Sequence, residues 1–359
     1  MMTAKQTAFR EAYRLRIESW YSGPLHVLII YALGAAALGW FIAHVDGPVT
    51  WAQWLVVPIV VLVSNILEWA MHKYIMHRPR KNVIARAIYK RHTQMHHQFF
   101  TSQNYTVDTV RDYRIVFFPP YTELAALILA IPGSILLGEA LGSNAAWLSM
   151  STVVSLYMIY EAFHLCCHVN DNWFVRNMPF VNTIRRHHIA HHHHSIMMDR
   201  NMNLTFPIAD WLFGTSDLNR GLLGTLFNGY STRHLREQMS RGAPYGKAPN
   251  IRAARSVAAP GTVVYSGERT IDGNVIHRNA ADLDAKLAIA HFSDVGMDWG
   301  FYGPPSRQLA LALLFDHLGN SEGALELAAA FAKAVVAHFD NSWEIDSLQI
   351  GEAIAGLQR

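Results

Sequence analysis

Cysteine and charge are both scarce in this chain of 359 residues. Its two cysteines, Cys166 and Cys167, are neighbours in the sequence, and because adjacent cysteines rarely pair, we expect no structural disulfide. The formal net charge is only +3, which gives nucleic-acid binding no overall electrostatic support. Residues 1–23 lack a continuous apolar core, so we also expect no cleavable signal peptide.

Long uncharged runs are abundant in the front half of the chain. Residues 27–43 are all apolar or glycine, and residues 48–67 form an uncharged run of twenty, about the length that crosses a ~30 Å hydrocarbon core. A soluble protein with buried helices is the alternative, but four such runs favour a membrane protein. The predicted spans lie at about residues 24–45, 48–69, 115–138 and 143–165, the third interrupted by Pro119, Pro120 and Glu123.

Basic residues fall on one side of these predicted spans. The segments after the second and fourth spans carry several, such as Lys73 and Arg185, whereas the loops at 44–50 and 139–144 contain no lysine or arginine. The positive-inside rule therefore predicts that both termini and every histidine cluster face the cytosol. We expect a multi-pass protein of a bacterial inner membrane or an endoplasmic-reticulum-type membrane, with residues 1–22 as a basic amphipathic helix at its surface.

Histidine is the side chain that carries the functional prediction. Thirteen of the twenty histidines lie between positions 72 and 194, and residues 187–194 hold six of them in eight positions. A low-complexity metal-buffering tract would explain that run alone. Three further clusters upstream, each at ligand spacing on a predicted helix, favour a built metal site. The ten candidate ligands are His72 and His77, then His92, His96 and His97, then His164 and His168, and finally His188, His191 and His192.

Ten imidazoles without a set of thiolates indicate the kind of metal. They suffice for two ions with about five ligands each, and His92 and His96, at i,i+4, share one predicted helix face and could hold one ion. Structural zinc prefers a closed set of four ligands, often thiolates. We therefore predict two iron ions that activate oxygen, with zinc able to replace them in a purified sample. A site at the membrane edge would act on a C–H bond of a lipid, either adding a hydroxyl or forming a double bond.

Two carboxylates precede candidate ligands by one helical turn. Glu68 lies before His72 and Glu161 before His164, so each carboxylate is a candidate to accept the distal N–H of a ligating ring and fix its tautomer. The alternative is that these glutamates cap helices or face the interior of the bundle. The other histidines of the long run are taken as surface or alternate contacts: His187, His193 and His194.

The character of the sequence changes after about residue 240. Residues 1–240 predict a four-helix transmembrane bundle with a cytosolic histidine-box cap, so the fold is expected to be mainly α. Glycine and proline mark a linker at 241–260, and residues 261–359 predict a small soluble α+β domain with a hairpin turn at Asp272 and Gly273. The predicted helices of this domain cover residues 306–318, 321–339 with Ser321 as N-cap, and 345–357.

The four clusters resemble the histidine boxes of the fatty acid hydroxylase/sterol desaturase superfamily of membrane di-iron oxygenases. That family's pattern is HX3–4H, HX2–3HH, HX3H and HX2HH, and residues 203–215, NLTFPIADWLFGT, are similar to its closing stretch. The resemblance covers about residues 20–220. The second box has three intervening residues, where sterol-modifying members commonly have two. Alkane hydroxylases tolerate the longer spacing, so it weakens the assignment of a sterol substrate. Residues 299–305, WGFYGPP, resemble part of a small domain of unknown function.

The resemblance implies an iron-dependent oxidoreductase that hydroxylates or desaturates a fatty acyl chain, a sterol or a related lipid, as in lipid biosynthesis. Such chemistry needs external electrons, and the chain has no recognisable cytochrome b5-like, flavin or iron–sulfur motif. A separate ferredoxin, cytochrome or reductase is therefore the expected partner, besides membrane lipid and the lipid substrate, with no nucleic acid. A metal transporter or sensor is the alternative function, although transporters usually place their ligands near the membrane midplane.

Overall fold

The computed structural model describes residues 4–194, 196–236 and 262–358, which are mostly helical. Four long apolar helices are followed by a small domain with a β-sheet, as predicted. The α-helices are Ala4–Leu15 (α1), Gly23–Ala43 (α2), Trp51–Trp54 (α3), Val56–Met71 (α4), Val83–Tyr89 (α5), His97–Phe99 (α6), Tyr113–Val116 (α7), Tyr121–Leu141 (α8), Ser143–His168 (α9), Trp173–Asn177 (α10), Val181–His191 (α11), Ile208–Leu212 (α12), Leu222–Leu226 (α13), Pro304–Leu318 (α14), Ser321–Ala334 (α15) and Ser347–Leu357 (α16).

Four helical stretches of the described residues are long and apolar enough to cross a membrane. Within the most apolar window of the third stretch, 6% of the residues are buried inside the protein, against 39% for the fourth. The fourth, α9, contacts α2, α4, α8 and α11, so it lies at the centre of the bundle. The stretches are Gly23–Ala43, Trp51–Met76, Val110–Leu141 and Ser143–His168.

Proline and capping residues set the ends of these helices. Pro24 lies in the first turn of α2, where its missing N–H costs nothing, and the Ser22 hydroxyl caps the same turn. Pro119 and Pro120 interrupt the third stretch because a proline nitrogen cannot donate to the helical ladder. The continuous helix α8 therefore begins at Tyr121, later than the predicted position 115.

Two segments that carry candidate ligands are π-helical, His72–Met76 and Lys90–His96. In a π-helix an N–H reaches the carbonyl five residues back, as His97 N does with His92 O. Residues five apart therefore lie near one face, as residues four apart do in the α-helix predicted for this box. Single π turns of this kind are frequent at functional sites.

The internal contacts divide the chain into two compact units. The second histidine box and the C-terminal domain belong to the same unit, although they are far apart in the sequence. The first unit comprises the described residues up to Tyr74, Phe99–His191 and Asp199–Leu235. The second unit comprises Ile75–Gln98, the described residues of 192–198, Arg236, and residues 262–358. The linker predicted at 241–260 lies outside the described residues.

The C-terminal domain contains an antiparallel sheet with the strand order β3-β2-β1-β4. The predicted hairpin is present, but Thr270 pairs with Gly273, so the turn residues are Ile271 and Asp272, one position earlier than predicted. Helices α14 to α16 and the strands bury a common core that includes Leu309, which is fully buried. The strands are Val264–Thr270 (β1), Gly273–Arg278 (β2), Ala281–Asp282 (β3) and Ser342–Asp346 (β4).

The helices of this domain differ from the prediction mainly at their ends. Gly319 stops α14 with a left-handed φ of 71°, as expected. The N-cap of α15 is Asn320 rather than Ser321, because the Asn320 side chain accepts from Gly323 N at 2.8 Å. The last helix begins two residues later than predicted, because residues 342–346 pair with β1 as a strand and Asp346 then caps α16.

Candidate metal centre

Nine of the ten predicted ligands fall into two groups of buried histidines. Within each group, one ligand nitrogen from every ring lies within 4.8 Å of the others. Each of these nine residues is at most 6% exposed. The five-histidine group comprises His72, His77, His92, His97 and His191, and the four-histidine group comprises His96, His168, His188 and His192.

The π-helical turns decide how the second box is shared between the groups. His92 and His97, five residues apart, belong to the same group, and their Nε2 atoms are 3.2 Å apart. His96 belongs to the other group, where its ring lies 4.9 Å from that of His192, measured between centroids. The structure thus replaces the predicted i,i+4 pair of His92 and His96 with an i,i+5 pair.

The fourth box is divided in the same way. His191 belongs to the five-histidine group, with its ring centroid 4.5 Å from that of His72. His188 belongs to the four-histidine group, and its Nε2 lies 3.1 Å from His168 Nε2. The tenth predicted ligand, His164, lies outside both groups but beside the second, with its ring 5.1 Å from that of His188.

The spacing of the Nε2 atoms tests whether these rings fit a metal ion. The Nε2 atoms of His77 and His97 each lie 3.2 Å from that of His92. Two nitrogens bound to one ion at about 2.1 Å are about 3 Å apart when they are neighbours in its coordination sphere. An all-imidazole set suits iron, zinc, copper or nickel. The rings therefore fit a first-row metal ion.

Backbone carbonyls fix the tautomer of several candidate ligands. Because a carbonyl oxygen can only accept, a ring bonded to one through Nδ1 carries its proton there and keeps the Nε2 lone pair for a metal. Thr93 does the same for His77: its hydroxyl donates to Met76 O and so accepts from His77 Nδ1, 3.2 Å away. The carbonyl pairs are His72 with Met202, His168 with Tyr105 at 2.7 Å and His191 with Arg200 at 2.8 Å.

Glu68, a predicted partner of His72, binds the loop whose Met202 carbonyl accepts the hydrogen bond from the His72 ring. Its carboxylate accepts from the backbone N–H groups of Leu204 and Thr205 and from the Thr205 hydroxyl at 2.5 Å. Met202, whose carbonyl accepts a hydrogen bond from His72 Nδ1, lies two residues before Leu204. These contacts give Glu68 an indirect influence on His72, and its direct role remains a prediction.

Glu161, the predicted partner of His164, lies on α9 and is fully buried beside the segment that leads into α8. It accepts from Phe118 N and from the Tyr157 hydroxyl, each at 3.1 Å. The first contact gives the backbone N–H of Phe118 an acceptor where Pro119 interrupts the helix. A role toward His164 remains a prediction.

An aspartate that sequence reasoning did not select holds the segment between the fourth box and α12. Asp210 Oδ2 lies 2.9 Å from His187 Nε2 and accepts from Asn203 N at 2.7 Å. Burial opposes ionisation of this carboxyl, but its hydrogen bonds with His187 and the backbone outweigh burial, so the pKa of Asp210 lies below its usual value. Asp210 is part of the closing stretch quoted above, but its partner cannot be identified from spacing.

The other extra histidines face the C-terminal domain within the second unit. A Cβ added to Gly300 would lie 3.3 Å from the Cβ of His194. Burial lowers the pKa of both His193 and His194, and the nearby Arg269 guanidinium lowers that of His194 further. His187, His193 and His194 all lie outside the two groups, which together hold nine histidines.

Four apolar helices and two buried histidine groups define a membrane protein with a candidate metal site. Residues 57–215 match the model of the fatty acid hydroxylase family, and residues 265–356 match that of a family of unknown function, DUF6166. Both resemblances seen in the sequence are confirmed. The first match implies a membrane oxidoreductase that acts on lipid. No curated protein and no solved structure matches the chain.

Proposed function

We propose that this chain is a di-iron oxygenase that hydroxylates or desaturates a lipid, using O2 and externally supplied electrons. The observation that carries the proposal is the pair of buried histidine groups. Iron bound there would supply the oxygen chemistry needed to attack an unactivated C–H bond. The proposed ligands are the nine grouped histidines together with His164, and zinc could replace iron in a purified sample.

The protein residues around the groups would keep the ligands neutral and oriented. Burial of every ring excludes water and disfavours a charged imidazolium. The carbonyls of Met202, Tyr105 and Arg200 hold protons at Nδ1 and direct Nε2 toward the metal. In this way the backbone supplies much of the support that sequence reasoning assigned to glutamates.

The substrate and the electron source follow from the surroundings of the site. An acyl chain, sterol or related lipid would enter from the bilayer around the four apolar helices. The electron donor would be a separate ferredoxin, cytochrome or reductase that binds the basic face, which we propose to be cytosolic together with both termini. The C-terminal domain, covalently attached and in the same unit as the second box, is proposed as an interaction module for such a partner.

Mass spectrometry of total lipids from a host expressing the chain tests the proposed function. The native chain should yield a lipid that gains one oxygen or loses two hydrogens, and His191→Ala should yield neither. His44→Ala is the matched control, because His44 contacts Trp40 and Trp147 instead of the grouped histidines. Metal uptake into proteoliposomes without any lipid product would contradict the oxygenase and favour a metal transporter or sensor.

A further inference from the structure

The N-terminal helix α1 directs part of its polar face into the protein. Arg10 is 2% exposed, and Gln6 one turn earlier is 7% exposed. The sequence predicts a surface amphipathic helix here, in which basic side chains would remain solvated. A buried guanidinium is costly unless its donors are all used, so the contacts of Arg10 indicate what it does.

The Arg10 guanidinium binds three backbone carbonyls of one loop. Its Nε donates to Phe99 O at 2.8 Å, its Nη2 to Asn104 O at 2.7 Å and its Nη1 to Thr106 O at 3.0 Å. Nη1 also reaches the Asp108 carboxylate at 3.0 Å. The planar fork of arginine presents its donors in fixed directions, so it can hold all these acceptors at once and set the path of residues 99–108.

The same loop supports His168, a member of the four-histidine group. The carbonyl of Tyr105, between the two held carbonyls of Asn104 and Thr106, accepts from His168 Nδ1 at 2.7 Å. Because peptide units are rigid planes, fixing the units on both sides restricts the direction of the Tyr105 carbonyl. The Phe100 ring also stacks on the His168 ring with centroids 4.0 Å apart.

Arg14 provides an internal comparison on the same helix. It donates to the carboxylates of Asp108 and Asp112 at 2.6 to 2.8 Å. It is 23% exposed, and these bonds do not involve the carbonyls of residues 99–106. Arg14 therefore tests whether loss of any arginine from α1 has the effect expected for Arg10.

We propose that Arg10 is a positioning residue for the four-histidine group, acting on His168 through the Tyr105 carbonyl. This inference rests on the proposed metal site. Arg10 also lies outside both segments that match known families, residues 57–215 and 265–356. The N-terminal helix is then part of the metal site rather than a membrane anchor alone.

The test is zinc titration of the metal-free full chain in lipid nanodiscs, because zinc has no redox chemistry that could obscure binding. The wild type should bind two ions. Arg10→Gln should weaken one of them by about tenfold, the order found when outer-shell partners of ligands are removed, and leave the other unchanged. Arg14→Gln should keep both affinities within about twofold.

Hydrogen exchange of the metal-free protein gives a second readout. Val107 N donates to His168 O at 2.8 Å, so its protection should fall in Arg10→Gln and persist in Arg14→Gln. Arg10→Lys keeps the charge but offers a single nitrogen in place of the fork, so it should behave as Arg10→Gln does.

The outcomes separate this inference from the proposed function. A wild-type chain that binds no metal contradicts the proposed function, whereas two unchanged ions in Arg10→Gln contradict only the role of Arg10. Equal loss in Arg10→Gln and Arg14→Gln would also overturn the inference. If both Arg10 variants lose their helical structure, Arg10 stabilises the whole unit, and a specific role toward His168 is wrong.

Discussion

Helices with long apolar runs occur both in the membrane part of this protein and in its C-terminal domain, but the side chains of these runs have opposite surroundings. In α8, Leu129 is 81% exposed and Leu136 is 66% exposed. In α14, every residue from 309 to 314 is fully buried. The difference shows that an apolar run in the sequence predicts only that its side chains avoid water. Length and partners decide whether lipid or protein excludes it.

The two regions also differ in the polar groups that they bury. The core of the C-terminal domain is built from Leu, Ala, Phe and Trp, with Arg269 and Asp298 paired at 2.8 Å. The membrane part and the second box bury imidazoles in two groups with ligand spacing. Buried histidines at such density serve no packing purpose that leucine would not serve better, which is the physical reason to assign chemistry to them.

The largest effect should come from removing a grouped histidine and would show whether metal chemistry is confined to those groups. His97→Ala should lower bound iron from two ions per chain to one or none and abolish lipid oxidation, because a ligand is lost. His338→Ala, in the C-terminal domain, should leave both unchanged. Iron content by plasma mass spectrometry and lipid analysis measure the two effects, and a full iron complement in His97→Ala would remove this residue from the site.

Truncating one leucine in each region tests the different surroundings of the apolar helices. Leu311→Ala should destabilise the C-terminal domain by about 2–5 kcal/mol, because it leaves a cavity in a fully packed core. Leu129→Ala should change stability by about 0.5 kcal/mol or less, since acyl chains adjust to the smaller side chain. Chemical denaturation of the full chain in nanodiscs gives both values, and similar costs would mean that Leu129 is packed against protein.

Two separate glycines of the C-terminal domain compare the cost of adding a methyl group in packed protein and in open space. A Cβ added to Gly267 in β1 would lie 2.4 Å from the indole of Trp343, so Gly267→Ala should cost about 1–3 kcal/mol. Gly356, near the end of α16, has open space around it. Gly356→Ala should therefore be neutral or stabilise by up to about 1 kcal/mol. Native-state hydrogen exchange of β1 amides measures both, and a neutral Gly267→Ala would show that the indole can move.

The smallest effect concerns pH and the C-terminal domain alone. Burial of Asp316 opposes its ionisation, but hydrogen bonds from Tyr265 and Arg278 outweigh burial, so the pKa of Asp316 lies below its usual value. A carboxyl with a lowered folded pKa adds stability above its unfolded pKa of about 4, and this stability is lost as the pH falls through the folded pKa. The protection factors of β1 amides, which correct for the slower intrinsic exchange at lower pH, should therefore fall below about pH 4. Asp316→Asn should flatten that dependence, and an equally steep dependence in the variant would assign it to other carboxyls.

Prediction from the sequence was most successful where a pattern is repeated along the chain. Four apolar runs gave four long helices, and the Asp-Gly signal gave a hairpin displaced by one residue. Sequence-based prediction was less successful where the winding of a helix or a residue distant in the sequence determines the contacts. The i,i+4 rule paired His92 with His96, whereas the π turn pairs His92 with His97. Glu68, a candidate to support His72, accepts from the backbone of the loop at 204–205, and its direct role toward His72 stays a prediction.

The sequence by itself determined which residues are available for chemistry and that apolar runs long enough to span a bilayer separate them. These properties depend on composition and local spacing, which a chain carries before it folds. Tertiary structure alone decided that the boxes are shared between two groups and that backbone carbonyls fix the rings. It also buried Arg10 of α1 beside the loop that holds His168. Contacts between residues about ninety positions apart leave no periodic trace in the sequence, because they form only when separate helices pack together.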